Sequence, residues 1–298
     1  PKGLADHEPR VREICVALIE RARARGSFDF VADLAAWLPL IVIADMLGVE
    51  ADAHADLLRW SETMIAASST GTADPAVLGQ ASQSFLEYQA YQRGVIADRR
   101  AGPQRNDLVS ILCRAEIDGD RLDDDSILYE SLLILVGGDE TTRHVLVGGM
   151  YELLMRPEAR AALAADPRKI PIAVEEMLRW VSPIQNMART ATRDAEIEGQ
   201  TIEAGDKVLL LFPAANRDPE VFPDPERFDV ARTPNEHVAF GLGAHFCLGA
   251  NLARMELVVM FEELLRRLPT LRLASDAQPP RRPSNFVSGI EALPVEIG

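Results

Sequence analysis

The chain lacks long apolar runs, a basic surface and a cysteine framework, and each lack removes a class of protein. No apolar run reaches the roughly 18 residues that a bilayer span needs. The nearest, residues 37–49, is interrupted by Pro39 and Asp45. No stretch reads as a secretory signal. Basic residues are scarce: 31 Lys and Arg stand against 46 Asp and Glu, a net charge of −15. Nucleic acids and anionic lipids are held by positive surfaces, so neither is expected as a partner. The three cysteines, Cys15, Cys113 and Cys247, are odd in number and far apart. They imply no disulfide framework and fit a reducing cytoplasm. There is no internal repeat, no low-complexity tract and no flavin or nicotinamide fingerprint.

What is present is ordinary in bulk. Hydrophobic residues make up 47% and charged residues 26% of 298 positions, enough for one large core or two modest ones. Helical spacing marks residues 11–25, 28–47, 52–67, 76–100, 107–116 and 167–181. Pro39 is expected near the start of the second part of residues 28–47, and Gly48 closes it as a C-cap. Residues 68–75 are small and polar, the most linker-like segment. Asp123, Asp124, Asp125 and Ser126 open a longer helix that runs to Met155, with acids at the positive end of its dipole. After Val181 the pattern changes to short segments at 182–189, 195–197, 200–202 and 207–212, separated by Gly199 and Gly205, which predict a small antiparallel sheet.

The stretch at 237–257 organises the rest. A glycine-rich loop runs into Cys247, followed by a helix with Leu248, Leu252, Met255 and Val259 as one apolar face. A sulfur there would feel unpaired helix amides and the positive dipole end, which favour a thiolate able to bind a metal. Gly243 and Gly249 would let a flat ligand lie against the backbone. A lone thiolate leaves the other metal positions to something else, and a haem supplies four. A single cysteine after glycines usually means a buried structural residue beside a turn. The full pattern Phe240-x-x-Gly243-x-His245-x-Cys247-x-Gly249 means more.

That pattern resembles the haem-thiolate loop of the cytochrome P-450 superfamily. The resemblance implies that Cys247 is the axial iron ligand, with Phe240 beside the sulfur, His245 at a haem propionate, and Gly241, Gly249 and Ala253 against the haem. In the long helix, Gly137 and Gly138 each cost about 1 kcal/mol relative to alanine. Close approach of a ligand plane is one reason to keep them, and Thr141 can hydrogen-bond the carbonyl of Gly137 and bend the helix. Glu140 and Thr141 resemble the superfamily's acid–alcohol pair, the implied catalytic residues. Glu176 and Arg179 on one helix face, with Arg227 further on, resemble its buried ion-pair triad, a structural element. By the same resemblance Arg189 meets a propionate, Pro183, Ile184 and Met187 line the substrate pocket with Val136, and residues 285–295 form a last hairpin whose Phe286 and Val287 border the substrate.

The resemblance implies a mainly α fold with a small antiparallel β region, one haem-binding domain over residues 1–298. The superfamily's β-rich opening portion and the helix carrying a second propionate contact have no counterpart here, so residues 1–298 are expected to be an incomplete folding unit. The implied activity is a haem b monooxygenase that inserts one oxygen atom of O2 into a C–H bond. Electrons would come from a ferredoxin and its NAD(P)H-dependent reductase, docking near Arg254, Arg266 and Arg267. The segment 137–144 is most similar to that of actinobacterial enzymes that hydroxylate sterol side chains, and the apolar pocket set has no charge to anchor a small acid. A peroxide-driven peroxygenase or a non-catalytic haem-thiolate sensor is the alternative, which Glu140 and Thr141 disfavour.

Overall fold

The computed structural model describes residues 4–69 and 74–298. Of the linker-like segment at 68–75, residues 70–73 lie outside the described residues; Ser68 and Ser69 belong to the preceding helix and Pro75 to the next, which Asp74 caps. The first half is a run of helices: α1 (Glu8–Arg23), α2 (Trp37–Leu47), α3 (His54–Ser69), α4 (Pro75–Ala101), α5 (Leu108–Arg114) and α6 (Asp124–Met155). Then come α7 (Pro157–Ala165), α8 (Ile170–Val181), the short α9 (Phe212–Ala215) and α10 (Ala250–Arg267). Aspartates start three of the helices in the same way. Asp74, Asp107 and Asp123 each accept a hydrogen bond from a backbone N–H of the first turn, at 2.9, 2.6 and 2.7 Å, which satisfies one of the orphan donors there.

Two helical stretches are divided, the first near the second part expected at Pro39 and the second where one helix was expected. Residues 28–47 open as strand β1 (Ser27–Asp29) and a π-helical turn (Val31–Ala35) before α2 begins, with Pro39 in its first turn. Residues 167–181 divide into a 3-10 turn (Pro167–Lys169) and α8. The C-cap at Gly48 is as expected, with φ +74°. A Cβ there would come within 2.6 Å of the Asp107 carboxylate, so the position takes only glycine.

With 32 residues, α6 spans about 48 Å at 1.5 Å per residue. It packs against α2, α4, α5, α8 and α10. Leu38 and Leu40 of α2, Leu135, Leu146 and Leu153 of α6, Met177 of α8 and Leu257 and Phe261 of α10 belong to one continuous core, all at 2% exposure or less. Each such side chain contributes about 1.5–3 kcal/mol by leaving water.

The strands are few and antiparallel. Between α5 and α6 lies the two-residue pair β2 (Glu116–Ile117) and β3 (Asp120–Arg121). After α8, β4 (Asn186–Thr190) pairs with β7 (Lys207–Leu211), and between them β5 (Ala195–Ile197) and β6 (Gln200–Ile202) form a hairpin. Gly199 and Gly205 punctuate it with φ of +76° and +98°, as the sequence suggests. A further sheet has the order β1–β9–β8, with β8 (Leu271–Leu273) and β9 (Pro294–Ile297) bringing the end of the chain against β1.

Candidate active site

The frame of the site is one buried carboxylate. Glu176 and Arg179 are both fully buried on α8 and meet through two parallel bonds, Nε to Oε2 at 2.7 Å and Nη2 to Oε1 at 2.8 Å. The third member is Arg232, whose Nε reaches Glu176 at 3.1 Å with 8% of its side chain exposed. Arg227, expected in that place, points outward with 69% of its side chain exposed, and only its backbone carbonyl joins the cluster. The guanidinium of Arg179 also donates to the carbonyls of Asn216 and Pro225. Asn216 in turn donates to Ser182 Oγ and accepts the N–H of Val238 at 2.7 Å. The triad thus anchors the entry to the cysteine loop.

That loop is shaped by its own backbone. Gly241 and Gly243 adopt φ of +70° and +68°, open to glycine without steric cost. The N–H of Cys247 donates to the carbonyl of Phe240 at 2.9 Å, closing the turn. Cys247 precedes α10 rather than opening it, and its side chain is exposed. Leu248, expected on the apolar helix face, is 95% exposed, while Leu252 and Val259 are buried. Desolvation pushes the Cys247 thiol up; the N–H groups of Gly249 and Ala250 and the charge of Arg254 pull the other way. The free thiol is therefore not the stabilised thiolate the sequence suggested. A metal ion would take the proton off, as it does for coordinating thiols generally. Arg254 donates twice to Glu175 and lies 4.6 Å from the Phe240 ring centroid. Arg266 and Arg267 pair with Glu263, and Arg267 also with Glu20. All three expected docking cations are thus answered by carboxylates.

The middle of α6 departs further from expectation. Thr141 Oγ1 does donate to the carbonyl of Gly137 at 3.0 Å. Gly137 is exposed, and a Cβ there would meet nothing within 4 Å. Gly138 instead faces α2, where a Cβ would stand 2.6 Å from Ile43 Cδ1. Its missing side chain makes room for the core, not for a ligand. Glu140 is fully buried and pinned by two guanidiniums, Arg143 at 2.5 Å and Arg282 at 2.6 Å. Arg143 reaches on to Glu62 of α3 at 2.6 Å. Next to Glu140, Asp139 accepts from Ser61 Oγ at 2.8 Å, and burial raises its pKa to about 6. Glu256 of α10 is buried near it and is raised to about 8, by desolvation first and the charge of Asp139 second. Sequence reasoning passed over Ser61, Asp139, Glu256, Arg282 and Arg232, because the partners given above for them are 56 or more residues away.

The pocket set assembles in part. Ile184 forms a β-bridge with Val287, Gln185 N donates to the carbonyl of Phe286 at 2.8 Å, and Ser288 N to that of Pro183 at 2.9 Å. Pro183 and Val287 are buried; Val136, Ile184, Met187 and Phe286 are half-buried. Arg189 and His245 are exposed, and neither has an acidic partner among the described residues. The residues fit a haem in kind. There is an exposed thiol beside two amides, an open backbone at Gly137, an exposed apolar rim of Leu242 and Phe246, and two cationic or hydrogen-bonding groups able to receive propionates. Ala253, half-buried, donates its N–H to the carbonyl of Gly249.

A helical frame around one glycine-cradled cysteine, with a glycine pair and a threonine in the middle of the longest helix, is the architecture of a haem-thiolate oxygenase. The family model for cytochrome P-450 matches residues 87–295. The chain is 48% identical over 294 residues to the steroid C26-monooxygenase of Mycolicibacterium smegmatis, covering 99% of this chain and 73% of that protein. It is 40% identical over 303 residues to the methyl-branched lipid omega-hydroxylase of Mycobacterium tuberculosis, covering 99% and 69%. The crystal structure of a Bacillus megaterium cytochrome P-450 in complex with testosterone superposes with a TM-score of 0.91 at 32% identity, covering all of this chain and 80% of that one. The chain belongs to the cytochrome P-450 family. It is an oxidoreductase, a haem-dependent monooxygenase that acts on apolar substrates with electrons from redox partners. Among the described residues no helix is long and apolar enough to cross a membrane.

Proposed function

We propose that this enzyme hydroxylates the side chain of a sterol, or of its ketone, in a single haem b domain of the cytoplasm, with electrons from a ferredoxin and its NAD(P)H-dependent reductase. The observation that carries the reading is the near-50% identity, over 99% of the chain, to proteins named steroid C26-monooxygenases. The pocket set supports it: Val136, Pro183, Ile184, Met187, Phe286 and Val287 offer apolar contact and no charge that would anchor a small acid.

The roles are distributed as follows. Cys247 would hold the haem iron through its sulfur, and bound haem would supply the oxygen activation. Phe240, Gly241, Gly249 and Ala253 close the loop around the sulfur, and Arg189 and His245 take the propionates. Gly137 leaves room on the opposite side. Thr141 Oγ1 would hold and pass a proton at the distal side, with Glu140 behind it. Each Glu140 oxygen is engaged by one arginine, so the two guanidiniums hold the carboxylate in place and fix where a proton could reach it.

Sterols added to the haem-loaded enzyme should displace the distal water and shift the iron to high spin. Short polar acids should not. A shift with the acids and none with sterols would refute the substrate class. Cys247→Ala should abolish the thiolate-type spectrum of the reduced carbon monoxide complex, and an unchanged spectrum would refute the ligand.

A further inference from the structure

Glu175 stands one residue before the triad's Glu176, so the helix turns its side chain about 100° away from that buried cluster. There it meets the cysteine loop. Arg254 Nε donates to Oε1 at 2.7 Å and Nη2 to Oε2 at 2.9 Å, a bidentate fork. His237 Nε2 lies 3.0 Å from the same Oε2. On the other side of that ring, Nδ1 accepts the N–H of Ala239 at 3.2 Å. A ring nitrogen that accepts carries no proton, so the imidazole proton sits on Nε2 and points at Glu175. One carboxylate therefore holds two side chains from either end of the loop. Both lie against Phe240: the Arg254 guanidinium 4.6 Å from the ring centroid, the His237 ring 6.0 Å away. Phe240 in turn accepts the backbone N–H of Cys247.

We propose that Glu175 is a positioning residue for the axial sulfur: by forking Arg254 over Phe240 it fixes, and largely neutralises, the positive charge that Cys247 feels. The proposal rests on the reading of Cys247 as the haem ligand. The physical chain is short. Glu175 and Arg254 together are nearly neutral. Remove the negative partner and Arg254 faces the sulfur uncompensated. The sulfur then gives less electron density to iron, and reduction becomes easier. Remove Arg254 and the surplus is negative, so reduction becomes harder. Arg254 is thus spoken for inside the molecule and is not a spare surface cation.

The test is the midpoint potential of the substrate-free, haem-loaded enzyme, with the thiolate-type carbon monoxide band as a check on ligation. Glu175→Gln, which keeps the shape, should raise the potential. Arg254→Met should lower it. A tenfold change in the one-electron reduction equilibrium, 59 mV, is the scale expected of each. The double variant should return towards wild type, which a merely structural pair would not do. Arg254→Lys, which keeps the charge without the fork, should stay close to wild type in potential and lose thiolate-type band faster in mild denaturant. Shifts of the same sign in Glu175→Gln and Arg254→Met would mean lost packing, and no shift in either would mean a structural ion pair; each overturns the proposal. Persistence of the thiolate band in Cys247→Ala would instead bring down the ligand assignment and the proposal with it.

Discussion

Around Glu175 and Glu176 the charged side chains have their counterparts and, among the described residues, Asn235 Oδ1 alone is left buried without a partner, whereas in the middle of α6 several buried polar atoms have none. On the first side, Glu175 answers Arg254 and His237, Glu176 answers Arg179 and Arg232, and Asn216 ties the second cluster to the loop. On the second, Asp139 Oδ1, Arg143 Nε, both ring nitrogens of His144 and Glu256 Oε2 are buried without hydrogen-bond partners among the described residues. Buried polar groups are normally paired, and a fully paired network rigidifies its surroundings. A half-paired one leaves protons and water somewhere to go. The contrast matches two tasks: holding a ligand at fixed distance and handling protons.

The sharpest way to break this contrast is at Thr141. If the α6 side manages protons, Thr141→Ala should keep the fold and substrate affinity but divert NAD(P)H consumption to hydrogen peroxide. Glu140→Gln should slow oxygen activation more than it uncouples it. General acid assistance is typically worth ~10²–10⁴ in rate. Product formed per NAD(P)H consumed is the measurement. Wild-type coupling in Thr141→Ala would place the proton route elsewhere.

On the paired side the expected loss is in stability instead. Arg232→Ala leaves a fully buried carboxylate short of one cation, and breaking such a pair costs about 3–5 kcal/mol. Arg227→Ala removes a solvated side chain and should cost under about 1 kcal/mol. Urea midpoints of the two variants rank them. The reverse order would restore Arg227 to the triad.

That pair also shows how far the sequence could be read. The loop from Phe240 to Gly249 and the Thr141 bond to the Gly137 carbonyl are local patterns, and the spacing of their residues carries the geometry. The short strands separated by Gly199 and Gly205 were legible for the same reason. Arg227 and Arg232 are five residues apart beyond the same turn, and nothing in either neighbourhood says which side chain folds inward. Glu140 reads as half of an acid–alcohol pair, but nothing near it says that it is buried against Arg282, 142 residues away. Leu248 fitted the helical period, yet the helix starts two residues later at Ala250. Gly137 and Gly138 read as one unit, although a helix turns successive residues about 100° apart and so onto different neighbours.

The unpaired acids of α6 and α10 predict a dependence on pH. Asp139 and Glu256 have pKa values raised to about 6 and about 8, so the folded state binds protons that the unfolded chain has released. The stability these groups confer is present below the ordinary carboxylate range and is lost as pH rises through about 8. His144, depressed to about 3 by burial and by Arg143, Arg282 and Arg281, works oppositely, but only below the ordinary histidine value near 6.5. Between roughly pH 6.5 and 8 the slope belongs mainly to Glu256, with Asp139 and Cys15 as its charged or titratable neighbours. Each unit of raised pKa is worth about 1.4 kcal/mol. Urea unfolding should show stability falling across that range, and Glu256→Gln should flatten it. An unchanged slope in the variant would mean that Glu256 finds a proton partner or water that the side-chain geometry does not reveal.

The smallest expected effect separates the two faces of α6 within two residues. In a helix interior, replacing glycine by alanine gains about 1 kcal/mol when nothing is in the way. At Gly137 nothing is: the added methyl enters open space. Gly137→Ala should therefore stabilise the haem-free protein by up to that amount. At Gly138 the methyl would stand 2.6 and 2.7 Å from Ile43 Cδ1 and Cγ1. Ile43 is 4% exposed and packed in the core of α2, so it cannot swing aside freely. Overpacking of this kind typically costs 1–3 kcal/mol, enough to cancel the gain in helix propensity and reverse its sign. The two variants should thus move the urea midpoint in opposite directions. With haem loaded the assignment inverts in meaning: only Gly137→Ala should weaken haem retention or substrate binding, because only its methyl points where a ligand plane would lie. If both variants stabilise the apoprotein alike, Ile43 has room to yield and the core around α2 is looser than its burial implies.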